Sequence, residues 1–293
     1  MKRTPTGPLR RILPFFVVAG CVLHANTTAA NILAIGDDKL YYEVSGRGFP
    51  LVLVSGGSSM DLRQWSGIIP ELSTDYLVIA YDPRGIGKSD NPTVRYSDSA
   101  DLEMLLDSLG LDRVALIGLS SAGGFVLEFA ATRPNRVAGV VAIAPFIPGF
   151  EFSPSMLTRI EQFNLAAQKG REPFLDSIFK DPHFIPAPMN PSIRKKAREI
   201  MGQNYDKGAG FDPALQMVIE PPLMDQLSSI DAPVFLLAGE LDHPEVFRRN
   251  KFLAEHIRAV DDKVIVQSGH TVPMENPAAL LNSISIFLKQ FDE

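Results

Sequence analysis

The chain has 293 residues, of which 45% are hydrophobic and 21% are charged, a balance typical of a globular protein with a sizeable core. Its single cysteine, Cys21, excludes an internal disulfide and a thiolate zinc site. Residues 1–30 hold four basic and no acidic residues, so the remainder carries 24 basic against 34 acidic residues. That acidic balance makes nucleic acid and anionic lipid poor partners.

The first thirty residues differ in character from the rest of the chain. Four basic residues precede an apolar run at positions 12–23, and small and polar residues follow as far as Ala30. This layout predicts an export signal, because the run is shorter than the ~20 residues that a membrane-spanning helix needs. We therefore expect residues 31–293 to form an exported protein, periplasmic or secreted, without a membrane span.

Two cleavage sites of the predicted signal remain open. Ala29 and Ala30 end a conventional small-residue site, whereas the four residues Val18, Ala19, Gly20 and Cys21 resemble a bacterial lipobox. The second alternative would make Cys21 the attachment point of a lipid anchor.

Beyond the signal, short apolar and β-branched runs alternate with amphipathic stretches. This pattern predicts buried strands of a mostly parallel, doubly wound α/β sheet. One crossover helix is expected around Leu102, Leu105 and Leu106, and another from Ala122 to about Thr132, before Pro134. The predicted strands cover residues 51–55, 76–82, 114–119, 137–144, 234–238 and 263–267.

Residues 146–223 interrupt this alternation with many prolines, aromatic residues and short helical patches. We interpret them as a helical cap inserted into the α/β domain of residues 31–293. Two interpretations of the apolar side chains of the insert are equally favoured. They could form a roof over a pocket, or they could hold the insert to the core. They are Phe152, Met156, Phe163, Phe174, Phe179, Phe184 and Met217.

The sharpest motif lies where a predicted strand passes directly into a helix. Ser120 is flanked two positions away by the small residues Gly118 and Ala122, as a strained strand-to-helix turn requires. This pattern is typical of a nucleophile elbow. A frame shifted to Ser121 would place the bulky Leu119 at a position that needs a small residue. A tight turn with incidental serines would match the same short motif.

A serine nucleophile requires a general base and a group that orients it. Asp242 follows the predicted strand at 234–238, and His270 follows the last predicted strand. Both therefore belong to loops at the carboxyl ends of strands, in the order nucleophile, acid, base. We expect His270 to accept the proton of Ser120, and Asp242 to orient the imidazole.

Alternative assignments exist for both partners. Glu240 or Asp231 could be the acid, and His243 could be the base. Each is less favoured, since Glu240 is closer to the strand, Asp231 precedes it, and His243 neighbours the acid. In isolation, Asp242 and His270 would read as a surface carboxylate and a solvated loop histidine.

Oxyanion stabilisation requires hydrogen-bond donors, and two backbone amides are candidates. The amide of Ser121 directly follows the nucleophile at the start of a helix, where the helix dipole is favourable. The amide of Gly57 lies in a glycine-containing loop after the first predicted parallel strand. That loop could also be a simple turn.

Over residues 37–291 the chain resembles the α/β-hydrolase superfamily. Besides the elbow, acid and base, residues 81–90 are similar to the D-x-R-G-x-G-x-S segment of that family, which is structural. Ser55 and Gly56 stand where most relatives carry His-Gly. Residues 55–65, with Trp65, look most like the 3-oxoadipate enol-lactonase branch, close to the carboxylesterases. The resemblance implies an eight-stranded, mostly parallel sheet with an inserted cap.

These observations predict a serine hydrolase that cleaves an ester or lactone of a small molecule. Export favours a general esterase over a cytosolic catabolic lactonase. Thioesterase, peptidase and cofactor-free peroxidase activities remain alternatives on the same residues. A binding protein with little turnover is an alternative of a different class. We expect no cofactor and no metal, since the five histidines show no ligand spacing.

Overall fold

The computed structural model describes residues 28–56, 59–186, 191–208 and 210–291. The predicted export signal lies outside the described residues except for its last three positions. Ala29 and Ala30, which were assigned to the signal, begin the first strand. The first strand therefore begins two residues before the predicted boundary at residue 31.

Eight strands form one sheet in the described part of the chain, in the spatial order β1-β2-β4-β3-β5-β6-β7-β8. The pairs β1·β2 and β2·β4 are antiparallel, and the other five pairs are parallel. This is the predicted doubly wound α/β sheet. Its strands are β1 (Ala29–Ile35), β2 (Asp38–Gly46), β3 (Phe49–Val54), β4 (Tyr76–Asp82), β5 (Val114–Leu119), β6 (Val137–Ile143), β7 (Val234–Gly239) and β8 (Val260–Ile265).

From β3 onward, helices connect successive strands and cover both faces of the sheet. Three of them, α4 to α6, lie between β6 and β7 within the predicted insert. The helices are α1 (Ile69–Leu72), α2 (Asp98–Ser108), α3 (Ser121–Thr132), α4 (Pro154–Gln168), α5 (Arg171–Lys180), α6 (Pro191–Gly208), α7 (Leu223–Gln226), α8 (Pro244–His256), α9 (Val272–Glu275) and α10 (Pro277–Leu288).

Successive side chains of each central strand point to opposite faces of the sheet, so the core has two layers. In β3, Val52 and Val54 pack with α2 and α3, whereas Leu51 and Leu53 pack with α1 and α10 on the opposite face. Because both faces are covered, such strands appear in the sequence as continuous apolar runs. Burial of each of these side chains contributes ~1.5–3 kcal/mol, which makes the central strands a rigid base for the loops at their ends.

All six predicted strands are present, but the antiparallel β1 and β2 were missed. These strands are only partly buried, and their turn has Gly36 at a positive φ of 61°. The last strand also begins earlier than predicted, at Val260 rather than residue 263. Residues 261–263 of this strand are charged and exposed at the sheet edge, yet they pair with the buried β7.

The inserted helices pack around a separate apolar cluster. Leu175, Ile178 and Met201 form part of it, together with Met60 and Met274 from outside the insert. Among the seven apolar residues singled out in the insert, Phe184 is buried in this cluster, and Phe163, Phe174 and Phe179 pack against it. Met217 instead lines a cavity beside the sheet. Some apolar residues of positions 146–223 thus pack in this cluster, and Met217 lines the cavity.

No helix within the described ranges combines the length and the hydropathy needed to cross a lipid bilayer.

Candidate active site

Ser120 lies in a strained turn between β5 and α3. Its φ of 58° and ψ of −119° are unusual for a residue with a side chain. The turn is held by backbone hydrogen bonds on both sides: the Ser120 amide donates to Ile143 O over 2.8 Å, and Phe146 N donates to Ser120 O over 2.8 Å. The partly exposed serine side chain is thereby presented at the carboxyl end of the strand.

Small residues around Ser120 are required by close backbone contacts. A β-carbon at Gly118 would lie 2.3 Å from the carbonyl oxygen of Ala122. A β-carbon at Gly124 would lie 1.9 Å from the carbonyl oxygen of Phe146. Both approaches are far below van der Waals contact, and the obstructing atoms belong to the backbone. These positions therefore accept only small residues, and Ala122, two positions after Ser120, is buried.

Asp242 and His270 meet at the same edge of the sheet. They follow β7 and β8, which are adjacent parallel strands. His270 Nδ1 donates to Asp242 Oδ2 over 2.8 Å, and the two residues are only 8% and 4% exposed. The other oxygen, Asp242 Oδ1, accepts the amide of His243 over 2.7 Å. The carboxylate is therefore fixed by its own loop while it orients the imidazole.

The alternative residues have other contacts. Glu240 is exposed and accepts the amide of Gln267 over 3.0 Å, and Asp231 forms an exposed ion pair with Arg258 over 3.1 Å. His243 caps α8, because its Nδ1 accepts the amide of Glu245 over 3.2 Å. Burial lowers the pKa of His243, and the nearby Arg159 lowers it further. Contact with His270 therefore distinguishes Asp242 from the other two acids.

Of the two oxyanion candidates, one lies within the described residues. Ser121 is the first residue of α3, so its amide has no partner inside the helix and is directed away from it. The same residue lines the cavity beside the elbow. Gly57 lies outside the described residues. Its neighbour Gly56 has a positive φ of 111° and donates its amide to Met60 O over 2.8 Å.

Glu275 supports the loop of His270 and was not identified in the sequence. Its carboxylate accepts the Gly269 amide over 2.6 Å and the Thr271 amide over 2.8 Å, so it binds on both sides of the histidine. Burial raises the pKa of Glu275, although these amides oppose the rise. Glu275 occupies position five after His270 on the next helix, which is the only sequence signal for this role.

A cavity of about 510 Å³ lies beside the elbow, between the sheet and the inserted helices. Its wall includes Ser121, Phe146 and Met217, together with the acids Asp98 and Glu128. Burial raises the pKa of Asp98 to about 6 and that of Glu128 to about 7. The volume suits a small ligand, and the acidic side of the wall becomes fully charged only above neutral pH.

Arg84 also borders the cavity, but its charge is neutralised. Its Nε and Nη2 donate to Asp101 over 2.6 and 2.9 Å, and its Nη1 donates to Asp38. This arginine belongs to the segment at 81–90, whose Ser89 hydroxyl accepts the Tyr41 amide over 2.8 Å. The segment thus joins β2, β4 and α2, and it leaves Asp98 and Glu128 as the unneutralised charges of the cavity wall.

Within the described ranges, no group of three or more histidine, cysteine or acidic side chains is arranged to hold a metal ion.

The sequence matches the model of the alpha/beta hydrolase fold over residues 50–277, more than three quarters of the chain. The chain belongs to the α/β-hydrolase family. It is 37% identical to the 2-hydroxy-6-oxo-2,4-heptadienoate hydrolase of Pseudomonas putida over 277 residues, which cover 89% of this chain and 96% of that protein. The family assignment agrees with the eight-stranded, mostly parallel sheet.

Two further comparisons are with an enol-lactonase and an esterase. The hydrolase is 25% identical to 3-oxoadipate enol-lactonase 2 of Acinetobacter baylyi over 271 residues, which cover 89% of this chain and 97% of that protein. It also superimposes on a thermophilic esterase from Thermogutta terrifontis with a TM-score of 0.71 at 24% identity, covering 92% of this chain and all of that chain. The second similarity concerns the fold alone.

Proposed function

We propose that this hydrolase cleaves carboxylic esters or lactones through an acyl-enzyme, with Ser120 as nucleophile, His270 as general base and Asp242 as the orienting acid. The observation that carries the proposal is the 2.8 Å hydrogen bond between His270 Nδ1 and Asp242 Oδ2. It fixes the imidazole tautomer, so that Nε2 is free to accept a proton. Ser120, in its strained turn, lies at the same edge of the sheet.

In the proposed reaction His270 Nε2 takes the proton of Ser120 as Oγ attacks the substrate carbonyl. The amides of Ser121 and Gly57 stabilise the oxyanion, and removal of such a donor typically costs about 3 kcal/mol. His270 then protonates the leaving alkoxide, which leaves the acyl group on Ser120. Water, deprotonated by the same imidazole, hydrolyses this ester and restores the serine.

The charge of the cavity supports a neutral substrate. Above neutral pH the wall carries negative charge on Asp98 and Glu128, whereas the guanidinium of Arg84 is already paired with two carboxylates. Two relatives are named for substrates that bear carboxylates, a heptadienoate and an oxoadipate lactone. We propose that this hydrolase differs from them and prefers uncharged esters or lactones.

An extracytoplasmic location is part of the proposal. It depends on the basic residues, the apolar run and the small residues at positions 1–30, with either Ala30 or the residue before Cys21 as the cleavage point. Mass determination of the protein purified from periplasm, medium and membranes distinguishes the two sites. A mature form that begins at Cys21 and carries lipid would exclude cleavage after Ala30.

The catalytic proposal is tested with p-nitrophenyl butyrate and a fluorophosphonate probe. We expect one adduct per chain, located by peptide mapping on Ser120 rather than Ser121. Ser120→Ala should lose both labelling and turnover, whereas Ser108→Ala, which removes a hydroxyl at the remote end of α2, should keep both. Comparable turnover in folded Ser120→Ala would refute the assignment. A screen of ester chain lengths and lactone ring sizes then separates esterase from lactonase activity.

A further inference from the structure

A turn contributed by the insert contacts the loop of the proposed base. The backbone amide of His270 donates to the carbonyl oxygens of both His183 and Phe184, at 3.0 Å each. The ring of Phe184, which is almost fully buried, lies 5.7 Å from the imidazole of His270 between ring centroids. The insert therefore determines part of the environment of this histidine.

The same turn also contacts the loop of the acid. His183 Nδ1 donates to the carbonyl oxygen of Leu241 over 3.0 Å, next to Asp242. The amide of Leu241 in turn donates to Ser268 O over 2.8 Å, which joins the acid loop to the base loop. Residues 181–186, hereafter the bracing turn, thus bind both loops that carry the imidazole–carboxylate pair.

Asp181 holds the bracing turn in shape. Its Oδ1 accepts the amides of His183 and Phe184, at 2.9 Å each. The guanidinium of Arg159, on α4, binds both carboxylate oxygens over 2.7 and 3.1 Å, and both side chains are about nine-tenths buried. Burial alone would raise the pKa of Asp181, but these bonds keep that pKa below its ordinary value. Asp181 therefore remains an anion throughout the neutral range.

The base loop is shaped to receive the bracing turn. A β-carbon at Gly269 would lie 2.6 Å from His183 O and 2.6 Å from Pro186 Cδ. Only a residue without a side chain allows this approach, and Gly269 directly precedes the histidine. The base loop therefore has the small residue that this contact with the bracing turn requires.

We propose that Asp181 is a positioning residue for His270, acting through the bracing turn and the two carbonyl oxygens that hold the histidine amide. The proposal rests on the proposed function, since it concerns the residue assigned there as general base. Arg159, by binding Asp181, links the position of α4 to that of the imidazole. Loss of the carboxylate would free the amides of residues 183 and 184 and loosen the loop of His270.

The test compares Asp181→Ala, Asp181→Asn and Asp176→Ala in the full-length protein. Asp176 is a matched control, because it is an acid of the insert whose exposed carboxylate pairs with Arg198 over 2.8 Å. Turnover of p-nitrophenyl butyrate is measured per site titrated with a fluorophosphonate, so that unfolded protein does not contribute. Hydrogen exchange of the peptide containing residues 266–276 is measured in parallel.

We expect Asp181→Ala to lower kcat by about 10- to 100-fold with KM within threefold, because small displacements of a catalytic group have effects of this size. Asp181→Asn keeps an oxygen for the two amides and should recover part of the loss. Exchange of the 266–276 peptide should accelerate in Asp181→Ala, accelerate less in Asp181→Asn, and stay unchanged in Asp176→Ala. Values of kcat and exchange equal to those of Asp176→Ala would overturn the proposal.

Hydrogen exchange separates this proposal from the catalytic one. If the wild-type protein formed no adduct and hydrolysed no ester, the proposed function would fail. Accelerated exchange in Asp181→Ala would then still establish the brace as a structural contact, and a positioning role in catalysis would be refuted. Labelling of Ser120 together with normal exchange in Asp181→Ala would instead refute only the positioning role proposed for Asp181.

Discussion

His270 Nδ1 donates a hydrogen bond of 2.8 Å to Asp242 Oδ2, although 28 positions separate the two residues along the chain. The bond joins two loops at the carboxyl ends of adjacent parallel strands. It is buried, and both loops are braced by further hydrogen bonds: the amides beside His270 donate to Glu275, and the amide of His243 donates to Asp242. This arrangement restricts the imidazole to one orientation, as a general base requires.

The first prediction concerns the acid of this pair. Asp242→Asn is expected to lower kcat by about 10³- to 10⁴-fold, since an amide favours the wrong imidazole tautomer. Glu240→Gln changes the neighbouring acid, which is exposed and bonded to Gln267, and should stay within twofold of wild type. Steady-state kinetics with p-nitrophenyl butyrate provide the comparison. A larger effect of Glu240→Gln than of Asp242→Asn would assign the acid to Glu240.

The second prediction concerns the steric requirement of the elbow. In Gly118→Ala the new β-carbon would meet the carbonyl oxygen of Ala122 at 2.3 Å, so the backbone must shift. We expect destabilisation of about 1–3 kcal/mol and a loss of Ser120 labelling. Gly208→Ala, at the end of α6, adds a methyl group in open space and should leave the melting temperature unchanged or slightly higher. Equal melting temperatures of the two variants would contradict the steric argument.

The third prediction concerns stability as a function of pH. Burial raises the pKa of Glu128 from 4.5 to about 7, so the folded state binds this proton more tightly than the unfolded state does. The resulting stabilisation is complete below pH 4.5 and is lost as the pH rises through 7. Partial exposure limits the effect to about 1 kcal/mol, or about 2–4 °C in melting temperature.

Glu128→Gln removes this titration, and its melting temperature should therefore fall less than that of wild type between pH 5 and pH 8. Glu103→Gln, which changes an acid of α2 that pairs with Arg133, serves as the control. Scanning calorimetry at both pH values measures the difference. Parallel curves for wild type and Glu128→Gln would show that Glu128 does not contribute.

The fourth prediction concerns substrate charge. At pH 8.5 we expect the wild type to hydrolyse a neutral ester at least tenfold better, in kcat/KM, than an ester of matched length that ends in a carboxylate. Changing both acids of the cavity wall, Asp98→Asn with Glu128→Gln, should reduce this preference severalfold because the repulsion disappears. Asp107→Asn with Glu103→Gln removes the same charge from the surface and should not change the ratio.

The pattern of residues along the chain predicted much of the fold. The central strands are buried on both faces, so they appear as apolar runs, and five of the six predicted runs coincide with strands to within two residues at either end. The hairpin of β1 and β2 was missed, because partly exposed strands mix polar and apolar residues. The turn at Ser120 could be predicted because its steric requirement is local: the close approach of Ala122 O excludes a side chain at Gly118, four residues away.

Contacts between distant segments were decided only by the tertiary structure. The order and placement of Asp242 and His270 indicated a shared edge of the sheet, but their hydrogen bond depends on how two loops fold over adjacent strands. The brace from Asp181 to His270 left no pattern in the sequence, since its hydrogen bonds run through backbone carbonyl groups that every residue possesses. A sequence records which side chains are small, apolar or charged, whereas backbone contacts between an insert and a core depend on where packing places them.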